Sequence, residues 1–117
     1  MLHMIQKAKA QAAALTMNAY RKAVLDGALP QAEVASVPVE IPKDTKNGDF
    51  TTTFALAAAK ALGRPPRAIA QALLERLALE DSYFASAEIA GPGFLNFHLG
   101  QAWFRDVLSA VESEGTR

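Results

Sequence analysis

Three side chains suited to molecular recognition recur at every second position late in the sequence. They are Phe94, Asn96 and His98, and the positions between them are apolar. Because successive residues of a strand point to opposite faces, these three side chains would share the face turned away from the core. An aromatic ring can stack on an unpaired base, and an amide can hydrogen-bond to a base edge. The spacing is therefore compatible with a pocket for one splayed nucleotide.

A structural role for Phe94 is the alternative, because the long first helix or a loop could cover a single ring on a sheet. Other chemistry is sparse. No GxxxxGK[ST] loop is present to cradle phosphates, and His3 and His98 lack the spacing of metal ligands. No serine lies near a histidine and an acid in a nucleophilic arrangement. The sequence therefore predicts no catalysis, no metal and no cofactor in this stretch.

The composition indicates one globular domain. The 117 residues are 50% hydrophobic and 21% charged, which suffices for a single core. Lysine and arginine number 12, as do aspartate and glutamate, so any binding to RNA by this chain alone should be weak. The absence of cysteine suits a reducing cytosol. No apolar run approaches the roughly 20 residues that span a membrane, so we expect no membrane partner.

The elements that would position the three side chains follow from hydrophobic periodicity and from turn residues. We predict helices over residues 3–26, 51–62, 66–78 and 101–112, and strands over 37–41, 83–90 and 94–99. The last two strands are joined by Gly91-Pro92-Gly93 and should form an antiparallel hairpin. The sum is an α+β fold with two layers, a small antiparallel sheet with helices packed on one face. The other face would be open to solvent or to a partner.

Local signals set the details of these elements. Gly27 and Gly63 should end their helices. Pro38 cannot donate to a ladder, so the first strand should be an edge strand or one with a disturbed pairing. Asp49 is placed to cap the helix over 51–62. The apolar stripe of the first helix consists of Ile5, Ala8, Ala12, Leu15, Ala19 and Ala23. The inner side of the last helix is expected to carry Trp103, Phe104, Val107, Leu108 and Val111.

Two segments of the sequence resemble a known family. They are "VEIPKDTKNGDFTTTFALAAAKALGRPPRAIAQALLERL" and "EIAGPGFLNFHL", and they resemble the N-terminal additional, tRNA-binding domain of arginyl-tRNA synthetases from about Val39 to Leu108. One motif is Pro-Lys-Asp followed by Gly-Asp-aromatic, within residues 42–50. The other is Gly-Pro-Gly-Phe-aliphatic-Asn-Phe at residues 91–97.

The resemblance implies a function in tRNA recognition. In that family the domain precedes a class I catalytic domain and reads the D-loop at the elbow of the tRNA. Carried onto this chain, Phe94 would stack on a splayed loop base and Asn96 would hydrogen-bond it, while His98, Lys43 and Lys46 would supply secondary polar or phosphate contacts. The implied partners are tRNA and the catalytic domain of the same parent chain, in the cytoplasm, without DNA.

The sequence also departs from the family pattern. It contains neither His-x-Gly-His nor a Lys-Met-Ser-Lys-like loop, so this stretch would not itself perform the ATP-dependent ligation of arginine. Thr53 stands where the family often has Asn, and Pro65 stands where a capping residue is common. We expect residues 1–112 to form a single tRNA-binding accessory domain and 113–117 to be a truncated linker toward an absent catalytic domain. The alternative function is a module for protein–protein or interdomain contact through the open sheet face.

Overall fold

The fold combines helices with one short sheet. The computed structural model describes residues 2–34, 36–43 and 48–115, with side chains from 3 to 109. Over these residues the order is α1 (Leu2–Leu25), β1 (Val39–Glu40), β2 (Phe50–Thr52), α2 (Phe54–Leu62), α3 (Pro66–Leu74), β3 (Phe84–Ala90), β4 (Phe94–Leu99) and α4 (Gln101–Gly115). No helix in the described ranges is both long and apolar enough to cross a membrane.

The four strands described form one antiparallel sheet in the order β1-β2-β4-β3. Helices α1, α2 and α3 all contact it, and the apolar residues Leu95 and Phe97 of β4 lie in the core at 1% and 0% exposure. The predicted α+β class and the predicted hairpin of β3 and β4 are therefore confirmed. Strand β1 lies at the edge of the sheet, as Pro38 predicted, although it is only two residues long.

Strand β2 was not predicted, and two expectations about its segment are wrong. Residues 51 and 52 are extended rather than helical, because the run of aromatic and β-branched residues from Phe50 to Thr52 pairs with β4. Asp49 does not cap α2. Its backbone N–H donates to the Phe97 carbonyl at 2.9 Å, and its Oδ2 accepts from the Leu99 N–H at 2.9 Å. The carboxylate thus extends the pairing with β4.

Helix α1 is packed along a face of small residues. Four alanines of the predicted stripe have no solvent exposure, namely Ala8, Ala12, Ala19 and Ala23. Thr16 is also fully buried, and its hydroxyl donates to the Ala12 carbonyl at 2.9 Å. Small side chains allow close approach of backbones, so α1 can lie directly on the elements beneath it. The predicted stripe is confirmed.

Helix α4 turns two apolar residues outward. Trp103 is buried and its ring stands edge-on to Tyr83 at 5.5 Å, but Phe104 and Leu108 are 55% and 62% exposed. The expectation that they face inward is wrong, because the described side chains of α4 that pack against the core are those of Ala102, Trp103 and Val107. The side chain of Val111, also expected to face inward, lies outside the described ones. Helix α3 also ends four residues before its predicted bound, at Leu74, while α4 continues beyond residue 112 to Gly115.

The tip of the β3–β4 hairpin is fixed against the start of α3. Gly93 has a φ of +136°, a backbone conformation that residues other than glycine rarely adopt. A Cβ atom at Gly93 would lie 2.9 Å from the Cβ and 3.0 Å from the carbonyl carbon of Pro66. The hairpin and α3 therefore meet backbone to backbone at this point.

We predict that Gly93→Ala lowers the free energy of unfolding by roughly 3 kcal/mol, because backbone strain adds to a clash that Pro66 cannot relieve. Gly63→Ala is the matched control. Gly63 also has positive φ, at +63°, but no atom lies within 4 Å of its added Cβ, so the expected cost is about 1 kcal/mol. Urea denaturation of both variants measures the difference, and equal losses would refute the close packing described.

Candidate nucleic-acid interface

The open face of the sheet carries a row of polar residues that crosses all four strands. Cα partners in antiparallel strands point to the same face, and the register aligns Glu40 with Thr51, Thr51 with Asn96, and Asn96 with Glu88. Two carboxylates thus flank a hydroxyl and an amide. The ring of Phe94 lies one pleat away on the same strand as Asn96. Recognition groups and a stacking surface are therefore brought together.

A depression of about 390 Å³ occupies this face. Its walls come from opposite edges of the sheet, with Pro42 following β1 and Gly91 following β3. The complete lining is Glu40, Pro42, Thr51, Thr53, Ala90, Gly91, Phe94 and Asn96. The lining thus combines an aromatic wall with hydroxyl, amide and carboxylate groups, which are groups that can stack on a base and hydrogen-bond to its edge.

Phe94 is the aromatic wall. Its side chain is 36% exposed, and one edge of its ring faces Gly91, where an added Cβ would lie 3.4 Å from Cδ2 and 3.6 Å from Cε2. The ring therefore contacts the hairpin turn along one edge and remains partly accessible to solvent. The predicted outward position of Phe94 is confirmed.

Asn96 was predicted to be exposed, and that prediction is wrong. The residue is 1% exposed. Its Oδ1 accepts a hydrogen bond from the Thr51 hydroxyl at 2.6 Å, and the backbone of Gly48 approaches so closely that an added Cβ would lie 3.3 Å from the Asn96 Cβ. Asn96 does lie on the same face as Phe94 and lines the depression. Its amide therefore forms the floor of the site behind Thr51.

Two of the other predicted contacts, His98 and Lys43, lie at the periphery. His98 shares the open face, but its Nε2 lies 2.8 Å from Glu88 Oε1, so the imidazole is engaged with a carboxylate of the same face. Lys43 is exposed and directly follows the wall residue Pro42. Lys46 lies outside the described residues.

From the sequence we missed three residues that line the depression, namely Thr51, Thr53 and Glu40. The signal for Thr51 was present in the run Phe50-Thr51-Thr52, whose residue types favour a strand. Period-two alternation would then have placed Thr51 on the face opposite Phe50 and Thr52. The pairing of Glu40 with Thr51 depends on the register of a two-residue strand, which no local pattern predicts.

Among the described residues, displaced pKa values occur at Lys7, Asp26 and Arg76, which do not line the depression. The Arg76 guanidinium donates to Asp26 and holds the pKa of that carboxyl below its usual range, while Asp26 raises the pKa of Arg76. The Tyr83 hydroxyl raises the pKa of Lys7. Within the described part of the chain, no cluster of three His, Asp or Glu side chains could hold a metal ion.

Comparison with known proteins shows the family. The profile described as "Arginyl tRNA synthetase N terminal domain" matches residues 4–99. The arginine–tRNA ligases of Acetivibrio thermocellus and Symbiobacterium thermophilum are each 39% identical over 97% of this chain, and the chain spans only 20% of either relative. This chain belongs to the family of arginyl-tRNA synthetase N-terminal domains.

Solved structures show the same fold. The arginyl-tRNA synthetase of Thermus thermophilus aligns with a TM-score of 0.64 at 29% identity, over 86% of this chain and 15% of that protein. The arginyl-tRNA synthetase of Plasmodium falciparum aligns with the same TM-score at 13% identity, over 84% of this chain and 17% of that protein, which supports the fold alone. In both alignments the matched region is a small part of a much longer chain.

We predict that Thr51→Val lowers the free energy of unfolding by roughly 1–2 kcal/mol, because the buried Oδ1 of Asn96 loses its hydrogen-bond donor. Thr51→Ser keeps a hydroxyl and should cost less than about 0.5 kcal/mol. Denaturant titration of the two variants provides the comparison. A valine variant as stable as the serine variant would show that the hydrogen bond from Thr51 to Asn96 contributes nothing to the stability of the domain.

Proposed function

We propose that this domain binds the elbow of a tRNA, with one splayed base of the D-loop held in the depression on the open face of the sheet. The observation that carries the proposal is the half-exposed ring of Phe94, which forms one wall of a depression whose floor is polar. We choose tRNA as the ligand because the relatives of this chain are named arginine–tRNA ligases.

The contacts available in the depression define how a base would bind. The accessible side of the Phe94 ring offers a stacking surface. The base edge would then meet the half-buried hydroxyl of Thr51 first, with the amide of Asn96 behind it. From the sequence we expected the base to bond to Asn96 alone. We now propose that the base bonds to Thr51, whose hydroxyl is itself bonded to Asn96. Direct contact with the amide requires Thr51 or the adjacent Gly48 backbone to shift.

Peripheral groups would add contacts to the tRNA backbone. We assign secondary roles to His98, Lys43 and Lys46, as polar or phosphate contacts around the depression. With a net charge of zero, the domain lacks the general electrostatic attraction of basic RNA-binding proteins. Its affinity should be modest, and its contribution in a cytoplasmic parent synthetase would be an added contact that sets the register of the tRNA.

The exposed face of α4 favours a second contact, with the catalytic domain of the parent chain. Phe104 and Leu108 are four residues apart and both point outward, so they form one apolar strip. Because the chain spans a fifth of the length of its relatives, we propose that this strip packs against the remainder of the parent synthetase. This proposal places the interdomain contact on α4, whereas the alternative function in the sequence analysis placed it on the open sheet face.

Phe94→Ala should weaken the binding of a tRNA for arginine to this 117-residue chain by roughly tenfold, because stacking on one aromatic side chain contributes about 1–3 kcal/mol per base. Phe94→Tyr keeps the ring and should bind nearly as well. Fluorescence anisotropy with a labelled transcript at low salt measures each Kd.

Phe104→Ala is the matched control for this prediction. It removes a ring that is more exposed than Phe94 but lies on α4, so the Kd should be unchanged. A transcript with abasic D-loop positions should bind the unaltered chain as weakly as the intact transcript binds Phe94→Ala. Equal binding by the unaltered chain and by Phe94→Ala would refute recognition of a base by this ring.

A further inference from the structure

The structure places a cationic side chain in contact with the hairpin turn that contributes Gly91 to the wall of the depression. Arg67, the second residue of α3, donates a hydrogen bond from Nη1 to the carbonyl oxygen of Gly91. Gly91 lines the depression and lies against the ring of Phe94. The position of α3 relative to this turn is set separately by the contact between Gly93 and Pro66. One contact therefore sets the position of α3 against the hairpin, and the hydrogen bond to Gly91 brings the guanidinium to the turn that carries the aromatic wall.

The chemistry of this position fits a phosphodiester. A guanidinium carries five N–H donors in a planar fork that matches phosphate oxygens, and the bond to Gly91 uses one of them. The Arg67 side chain is exposed. A side chain that is anchored at one donor loses less conformational freedom when a ligand engages the others.

Charges across the open face determine where a phosphate could lie. Glu40 lines the depression on the β1 side, and Glu88 lies in the same row. Both carboxylates would repel a phosphate placed over the sheet. A nucleotide whose base enters the depression must therefore direct its backbone toward a cationic rim, and on the hairpin side that rim is Arg67.

We propose that Arg67 forms a phosphodiester-binding subsite for the nucleotide that stacks on Phe94. This subsite rests on the proposed function, because it requires RNA in the depression. It contributes affinity without reading sequence, since a phosphate contact is independent of the base. Arg67 thereby sets the backbone position from which the base reaches the ring.

The salt dependence of binding tests this proposal. We would measure the Kd of the labelled tRNA transcript for the 117-residue chain between about 50 and about 200 mM salt. Loss of one phosphate contact reduces the slope of log Kd against log salt by about 0.7–0.9. Arg67→Gln should show this reduction and bind roughly tenfold more weakly at the lowest salt. Arg67→Lys should keep the slope of the unaltered chain, because it keeps the charge.

Lys22→Gln is the control for general electrostatics, because Lys22 is an exposed cation on α1, in the helical layer. It should leave the slope unchanged. The phosphate subsite is refuted if Arg67→Gln keeps the slope of the unaltered chain, or if Lys22→Gln reduces the slope equally. Weaker binding by both Arg67 variants at an unchanged slope would show that Arg67 only supports the hairpin.

The outcome for Phe94→Ala separates this proposal from base recognition. That variant should weaken binding without changing the slope, because the ring carries no charge. If Arg67→Gln lowers the slope while Phe94→Ala binds normally, the phosphate contact stands and base stacking fails. If the unaltered chain shows no binding at the lowest salt, both proposals fail. Circular-dichroism melting of each variant verifies that the compared proteins are folded.

Discussion

Strand β4 is paired on both sides, and the rest of the structure depends on that double pairing. Strand β2 holds one edge and β3 the other, so each residue of β4 has a fixed face and a fixed neighbour. On one face Leu95 and Phe97 complete the core. On the other, Phe94 and Asn96 supply the wall and floor of the depression. One face of β4 thus belongs to the core and the other to the depression. A shift of its register by one residue would exchange the two sets of side chains.

The sequence predicted well the elements whose apolar residues follow a long, regular pattern. Period-two alternation placed Leu95 and Phe97 in the core, and helical spacing found the alanine stripe of α1. The failures came from contacts distant in sequence. Asn96 is covered by residues about 45 positions earlier, and the three-residue β2 is too short for periodicity to reveal. Arg67 contacts the hairpin turn at Gly91, 24 residues away. No local pattern encodes such neighbours.

The zero net charge conceals an uneven distribution that matters more for function than the total. Carboxylates lie within the row that crosses the sheet, whereas Arg67 lies at the hairpin rim and Lys43 follows the opposite wall. This pattern disfavours broad attraction to any polyanion, and it favours a ligand that brings a neutral base to the sheet and keeps its phosphates outside. The arrangement is consistent with a domain that adds selectivity to a larger binding surface rather than bulk affinity.

The alanine face of α1 has a mechanical consequence. Alanine has no side-chain rotamers to redistribute, so at the four buried alanines the contact of α1 with the elements below it cannot change through a side-chain rotation. Longer side chains of the same helix, among them Met4 and Tyr20, are also buried. Repacking beneath α1 is therefore confined to these longer side chains, and wherever an alanine contact changes, the backbone of the helix or of its neighbour has to move.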